Sequence, residues 1–235
     1  MRASLTLFDL DNTLLGGDSD YLWGQFLVEQ GIVDRDEYES ANRRFYADYR
    51  QGRLDIEAFL AFSLKPLSQN SVEFLNALRQ RFVREKIMPL ILPAARALVK
   101  YHKKRGDVLA IVTATNAFVT KPIAGLFGIE HLLATEPELA QGRYTGRFIG
   151  VPCFQHGKVL RLQEWLKDKE LELNAATFYS DSQNDLPLLE HVGHPIAVDP
   201  DPILEATARQ KNWTILSLRQ SPEPVRRSGP PWPHL

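Results

Sequence analysis

Residues 4–14 read Ser-Leu-Thr-Leu-Phe-Asp-Leu-Asp-Asn-Thr-Leu. Residues 5–9 form a short, strongly apolar run that breaks into Asp-Asn-Thr, the pattern of a buried strand leaving into a turn. Two carboxylates, Asp9 and Asp11, stand at that exit. The same grammar recurs downstream. Residues 107–113 (Asp-Val-Leu-Ala-Ile-Val-Thr) predict a second buried strand, with shorter ones at 131–135, 176–181 and 195–199 and a last one at 213–218. Helical periodicity fills the gaps at 94–104, 119–126, 159–169, 186–192 and 202–210. Near-continuous apolar strands alternating with helices predict an α/β fold whose parallel sheet is covered on both faces.

Residues 17–88 interrupt this rhythm. They contain no strand pattern, and 21–29, 35–50, 56–64 and 72–84 read as successive amphipathic helices. The expected organisation is a Rossmann-like core of residues 1–16 and 89–218 with a helical cap inserted over 17–88. Residues 142–147 (Gly-Arg-Tyr-Thr-Gly-Arg) read as a small hairpin with glycine turns. Residues 219–235 are proline-rich and poor in apolar side chains, so an extended or disordered tail is expected there.

Bulk composition narrows the function. With 28 basic and 29 acidic residues the net charge is −1, which leaves no electrostatic footprint for nucleic acid or membrane. No apolar run approaches the roughly 18 to 20 residues of a membrane span, and the first residues lack a signal peptide's charged start and cleavage site. The single cysteine, Cys153, forbids an internal disulfide and suits a reducing compartment. A cytoplasmic protein, monomer or homodimer, is expected.

In open α/β sheets, ligands sit outside the carboxyl ends of the strands. Four groups fall there: Asp9 and Asp11; Thr113-Ala114-Thr115-Asn116; Lys158, opening a helix after Gln155-His156-Gly157; and Asp181-Ser182-Gln183-Asn184-Asp185. Each alone has an ordinary reading. Residues 9–13 suit a capped turn, 113–116 a helix N-cap, Lys158 a solvated lysine, and 181–185 a polar turn or helix start. Together they place four carboxylates and one lysine in one cleft, where like charges repel. A divalent cation resolves that repulsion, and an oxygen-only donor set suits Mg2+. Cys153 reads as a packed thiol, and His131, His191 and His194 lack metal spacing.

These motifs, in this order, resemble the haloacid-dehalogenase-like (HAD) hydrolase superfamily, specifically its phosphoserine-phosphatase-like subfamily IB. The resemblance covers about residues 4–218. It implies a HAD fold and a phosphatase acting on a small phosphate monoester. Asp9 would be the nucleophile that forms an aspartyl phosphate. Asp11 would be the general acid and base. Lys158 and Thr113 would bind phosphoryl oxygens, with Ala114, Thr115 and Asn184 around them. Mg2+ would be held by Asp9, the Asp11 carbonyl and Asp181, with Asp185 on a metal-bound water or on Lys158. Phosphotransferases and phosphomutases share the nucleophile, and a catalytically silent phosphate-binding protein is the rival of another class.

The same resemblance bears on substrate. Phosphoserine phosphatases carry a cap glutamate nine residues after the nucleophile that meets the substrate amine. Here that position is Asp18, with Asp20 nearby. Their carboxylate-gripping arginine aligns near Phe62 or Ser63, where nothing basic stands, although Arg53 could reach in from elsewhere to bind the substrate. An amine-bearing substrate without a carboxylate is therefore expected, with histidinol phosphate the leading candidate and phosphoserine the alternative. Trp23 and Phe62 are the cap aromatics expected to pack a substrate ring. Core packing is the competing role for Trp23 and Phe26.

Overall fold

The computed structural model describes residues 4–231. A seven-stranded sheet runs in the order β3-β2-β1-β6-β7-β8-β9. Its strands are β1 (Leu5–Phe8), β2 (Val108–Val112), β3 (His131–Leu133), β6 (Thr177–Ser180), β7 (His194–Val198), β8 (Thr214–Ser217) and β9 (Val225–Ser228). All pairings are parallel except β8 with β9. Side chains alternate across the sheet with the period of two that a strand imposes. Leu5, Leu7, Ala110, Val112, Phe178, Ala197 and Ile215 pack on one face, beneath α7 (His156–Leu166), α8 (Leu186–Leu189) and α9 (Pro202–Gln210). Phe8, Ile111, Tyr179, Ile196, Val198 and Leu216 pack on the other, towards α5 (Pro93–Lys104) and α6 (Ala117–Phe127). Burying both faces of β1 is why its sequence is apolar apart from Thr6, whose hydroxyl is paired with His102 and Asp107.

Strand β1 lies between β2 and β6. The chain runs outward to β2 and β3 on one side before returning to β6 on the other, so β1 sits at the switch point where ligands bind in such sheets. The helical segment leaves at Gly16 and returns through residues 90–92. There Gly16 N donates to Leu90 O at 2.7 Å and Leu15 bridges Ile91. It comprises α1 (Ser19–Glu29), α2 (Arg35–Arg50), α3 (Ile56–Ser68) and α4 (Val72–Phe82). Asp18, Asp34, Asp55 and Ser71 each accept backbone amide hydrogen bonds at the four helix starts, satisfying donors that the helices leave open.

Two expectations need correction. The glycine hairpin is larger than residues 142–147: β4 (Glu136–Ala140) pairs with β5 (Arg143–Ile149) around a turn at Gln141-Gly142, both at positive φ. Its first strand is half-polar, hence illegible as an apolar run, and it is paired because β5 lies against α3. The tail is not wholly outside the fold: Val225–Ser228 adds an antiparallel edge strand to β8. Its pattern, Val-Arg-Arg-Ser, buries no apolar face, as an edge strand requires none. The tail's last four residues, 232–235, lie outside the described residues.

Candidate active site

The carboxyl ends of β1, β2 and β6 carry the chemistry. Asp9 follows β1 directly, its amide held at 2.9 Å by Tyr179 O of β6. Lys158 enters from the first turn of α7 and reaches Asp9 Oδ1 at 2.8 Å and Asp185 Oδ1 at 2.6 Å. Asp9, Lys158 and Asp185 are each at most 3 % exposed. The lysine arrives there because α7 starts tight against residue 152. A Cβ on Gly157 would meet Pro152 O at 2.0 Å, so only glycine fits beside it. Ser180 Oγ donates to Asp185 Oδ2 at 2.7 Å. Both Asp185 oxygens are thus engaged by Lys158 and Ser180. Of the two roles expected for Asp185, this geometry displays the contact with Lys158.

Asp11 lies one turn further along. Its Oδ1 accepts from Ser19 N at 2.7 Å and its Oδ2 from Thr115 Oγ1 at 2.7 Å. Asp181 Oδ1 accepts from Thr13 Oγ1 at 2.9 Å. Burial pushes the Asp9 carboxyl up to about 7 against the pull of Lys158, with Asp185 and Asp11 adding to the rise. Burial pushes Asp11 to about 7 as well, aided by Asp18 and opposed by the Ser19 and Thr115 hydrogen bonds. Asp181 is raised by burial and by Asp9. Lys158 is driven further up, because Asp185 and Asp9 outweigh its desolvation.

This imbalance bears on a metal. One lysine answers Asp9 and Asp185, while Asp181 has only a neutral hydroxyl against it. A half-buried carboxylate beside the nucleophile is left without a cation, in a set whose donors are all hard oxygens. That fits a divalent cation such as Mg2+. Among the described residues no three or more His, Cys, Asp or Glu side chains form a ready metal cluster. The side chains that could hold such an ion are those of Asp9 and Asp181, whose charges act on each other.

Above Asp9 and Asp11 lies a chamber. Thr113, Ala114 and Thr115 form its floor, and Asp18, Asp20, Tyr21, Asn42, Phe45, Tyr46, Tyr49 and Phe59 are among its walls, with Leu54 and Ile56. Asn42, Phe45, Tyr46 and Tyr49 sit at i, i+3, i+4 and i+7 on α2, one helical stripe. That spacing, with an asparagine inside an otherwise aromatic face, was the available signal for these missed residues. The chamber's lining includes no lysine, arginine or histidine among the described residues. Burial and the surrounding carboxylates hold the Tyr49 phenol above its ordinary range.

The remaining assignments divide. Asp18 lines the chamber and also caps α1, its Oδ1 accepting from Asp20 N and Tyr21 N. Trp23 does not line the chamber. It is 2 % exposed and packs among Phe26, Phe82 and Phe118 with ring centroids 5.1–6.1 Å apart, because the apolar stripe of α1 faces α4 and α6. Phe62 is also outside it, packed on Tyr38 and Phe45. Arg53 points away, 65 % exposed and paired with Asp48 at 3.3 Å. Cys153 is a packed thiol, pushed up to about 12 by burial. Asn184 Nδ2 donates to Tyr49 O at 2.9 Å. Gln183 Nε2 donates to Arg50 O at 2.8 Å and Gln155 Nε2 to Gly52 O at 3.4 Å. Three core amides therefore bind the carbonyl end of α2 and its turn, and neither glutamine was anticipated from sequence. Arg219, also unanticipated, donates to Asn12 O at 2.9 Å.

The model of the haloacid dehalogenase-like hydrolase family matches residues 6–190. The chain belongs to that family. A histidinol-phosphatase of Neisseria meningitidis is 44% identical over 220 residues, covering 92% of this chain and 99% of the relative. A Bordetella pertussis protein of unknown function superposes with a TM-score of 0.87 at 44% identity, covering 93% of this chain and 100% of that one. A substrate-bound phosphoserine phosphatase superposes with a TM-score of 0.65 at 22% identity, over 88% of this chain and 90% of that one, which shows the shared HAD fold. No helix among the described residues is long and apolar enough to cross a membrane.

Proposed function

We propose that this HAD phosphatase hydrolyses histidinol phosphate through an aspartyl-phosphate intermediate on Asp9, with Mg2+ as cofactor. One observation carries the substrate: the chamber over Asp9 combines free acid and aromatic walls with no basic side chain. Such walls favour a cationic, ring-bearing alcohol phosphate and offer nothing to grip a carboxylate. The histidinol-phosphatase relative, matched along almost its whole length, supports the same reading.

The residues divide the work. Asp9 attacks phosphorus, splitting one displacement into two. Asp11, raised to about 7, holds a proton for the departing alkoxide, then takes one from the attacking water. Lys158, fixed by Asp185 and Ser180, keeps its charge and meets a phosphoryl oxygen where negative charge accumulates. Thr113 contributes its hydroxyl from the floor. Asp9 and Asp181 would hold Mg2+ with the Asp11 carbonyl; when bound, the ion supplies positive charge that keeps the Asp9 carboxylate ionised and screens the phosphoryl oxygens. The helical segment excludes bulk water from the ester. This reading implies a cytoplasmic enzyme acting on a small metabolite.

The test compares kcat/KM on histidinol phosphate and phosphoserine with Mg2+ present. Histidinol phosphate should lead by a hundredfold or more, the order expected when one substrate brings a carboxylate to a site without a clamp. A lead for phosphoserine would reverse the assignment.

A further inference from the structure

Besides the nucleophile Asp9, three acids line the chamber, and they are not equivalent. Asp11 is engaged through both oxygens by Ser19 N and Thr115 Oγ1. Asp18 is engaged through Oδ1 as the cap of α1. Asp20 lines the same chamber from the first turn of α1, yet no donor among the described residues reaches its carboxylate. Its surroundings hold its proton affinity well above the ordinary carboxylate range, through burial first and then Asp18 and Asp11. An acid in that state gains most from a cationic partner brought in by a ligand.

The acids also differ in their neighbours. The nucleophile Asp9 is among the charges that act on Asp18, whereas those that act on Asp20 are Asp18 and Asp11, and Asp20 itself acts on Tyr38 of α2. In histidinol phosphate the ammonium is two carbons from the ester oxygen and the imidazole lies beyond it. The near cation thus falls to Asp18 and the far one to the position of Asp20. Phe45 and Phe59 give the same chamber an apolar wall for the ring, in edge-to-face contact with each other at 5.5 Å.

We propose that Asp20 is the specificity-determining contact for the substrate's ring, accepting a charge-assisted hydrogen bond from an imidazole N–H. The proposal rests on the histidinol-phosphate reading. It moves ring selection to a residue two positions beyond the acid that the family resemblance singles out. An imidazole titrates near neutrality by itself, and a carboxylate beside it keeps it protonated.

The experiment measures kcat/KM for histidinol phosphate and phenylalaninol phosphate, which share ammonium, spacing and an aromatic ring but differ in ring N–H groups. The wild type should favour histidinol phosphate by at least about tenfold, in keeping with one charge-assisted hydrogen bond. D20N, and D20S as a second neutral variant, should lower that ratio by at least about tenfold, while D20E should keep it within about threefold. A wild-type ratio near one, or equal losses on both substrates in D20N and D20S, overturns the role of Asp20 and leaves the histidinol-phosphate reading standing. A wild type that does not turn over histidinol phosphate overturns that reading and this inference with it.

Discussion

Thr115 and Asp11, 104 residues apart in sequence, share a 2.7 Å hydrogen bond in which the threonine hydroxyl donates to Asp11 Oδ2. The bond stabilises the ionised carboxylate and so opposes the rise that burial causes. Removing it with T115V should raise the Asp11 pKa. As the general acid must be protonated, the alkaline limb of the kcat profile should move to higher pH, and near neutrality the water-activating step should slow. A pH–rate profile in T115V that overlays the wild type, or shifts downward, would contradict the acid/base role of Asp11.

The two strand-exit acids should separate when the enzyme is caught mid-reaction. D9N removes the nucleophile, so kcat should fall by at least about a hundredfold with no phosphorylated protein formed. D11N keeps the nucleophile but loses the proton relay, so turnover should fall while phosphoenzyme survives longer than in the wild type. Acid-quenched enzyme incubated with phosphate-labelled substrate distinguishes them. Label on D9N would remove Asp9 from the covalent role.

Raised carboxyls also predict how stability follows pH without metal. Asp9 and Asp11 are near 7 in the fold, against an ordinary value of 3.8. Between those values the unfolded chain binds fewer protons than the folded one, so stability falls as pH rises. Chelator-treated protein should therefore melt at progressively lower temperature from about pH 5 to pH 7.5, with the fall complete above the folded pKa values. Magnesium should restore the melting temperature mostly at the upper end, where the carboxylates it meets are ionised. A chelated protein that keeps full activity, or whose stability rises across that window, would exclude the Asp9–Asp181 metal assignment.

Much of this was legible in sequence, for identifiable reasons. Strand β1 is buried on both faces, so three of its four residues are apolar and its exit is abrupt. Asp9, Asp11, Lys158 and Asp181 stand out because each is polar where an apolar strand or a helix start would not require it. The chamber was less legible. Trp23 and Phe45 are both aromatic residues on amphipathic helices, and only packing decides that the first faces α4 and α6 while the second faces the chamber. Arg53 is near the chamber in sequence but turns outward to Asp48, a choice of rotamer that no spacing encodes. Strand β9 was missed because an edge strand is held by backbone hydrogen bonds and leaves little side-chain pattern.

The closing contact of the helical segment yields a last prediction. Asn184, Gln183 and Gln155 donate side-chain amides to the carbonyls of Tyr49, Arg50 and Gly52. A helix ends with carbonyls that lack partners and with the negative end of its dipole. The three amides satisfy part of that deficit at the end of α2, whose stripe walls the chamber. They emerge from the loops that carry Asp181, Asp185 and Lys158. On its far side the segment is held independently, where Arg79 Nη1 donates to Phe118 O at 2.7 Å and its guanidinium lies 4.4 Å from the Phe118 ring centroid. Losing two neutral hydrogen bonds removes about 1–3 kcal/mol. Q155A/Q183A should therefore open the α2 side by roughly fivefold to 150-fold in equilibrium. KM should rise at least about fivefold, if closure is what binds the ring-bearing alcohol. Hydrogen exchange should quicken at residues 47–53, near the carbonyl end of α2, and stay unchanged in α4 beside Arg79. Faster exchange throughout α1–α4 would mean general destabilisation, and unchanged exchange and KM would mean that the two glutamine amides do not hold the segment closed.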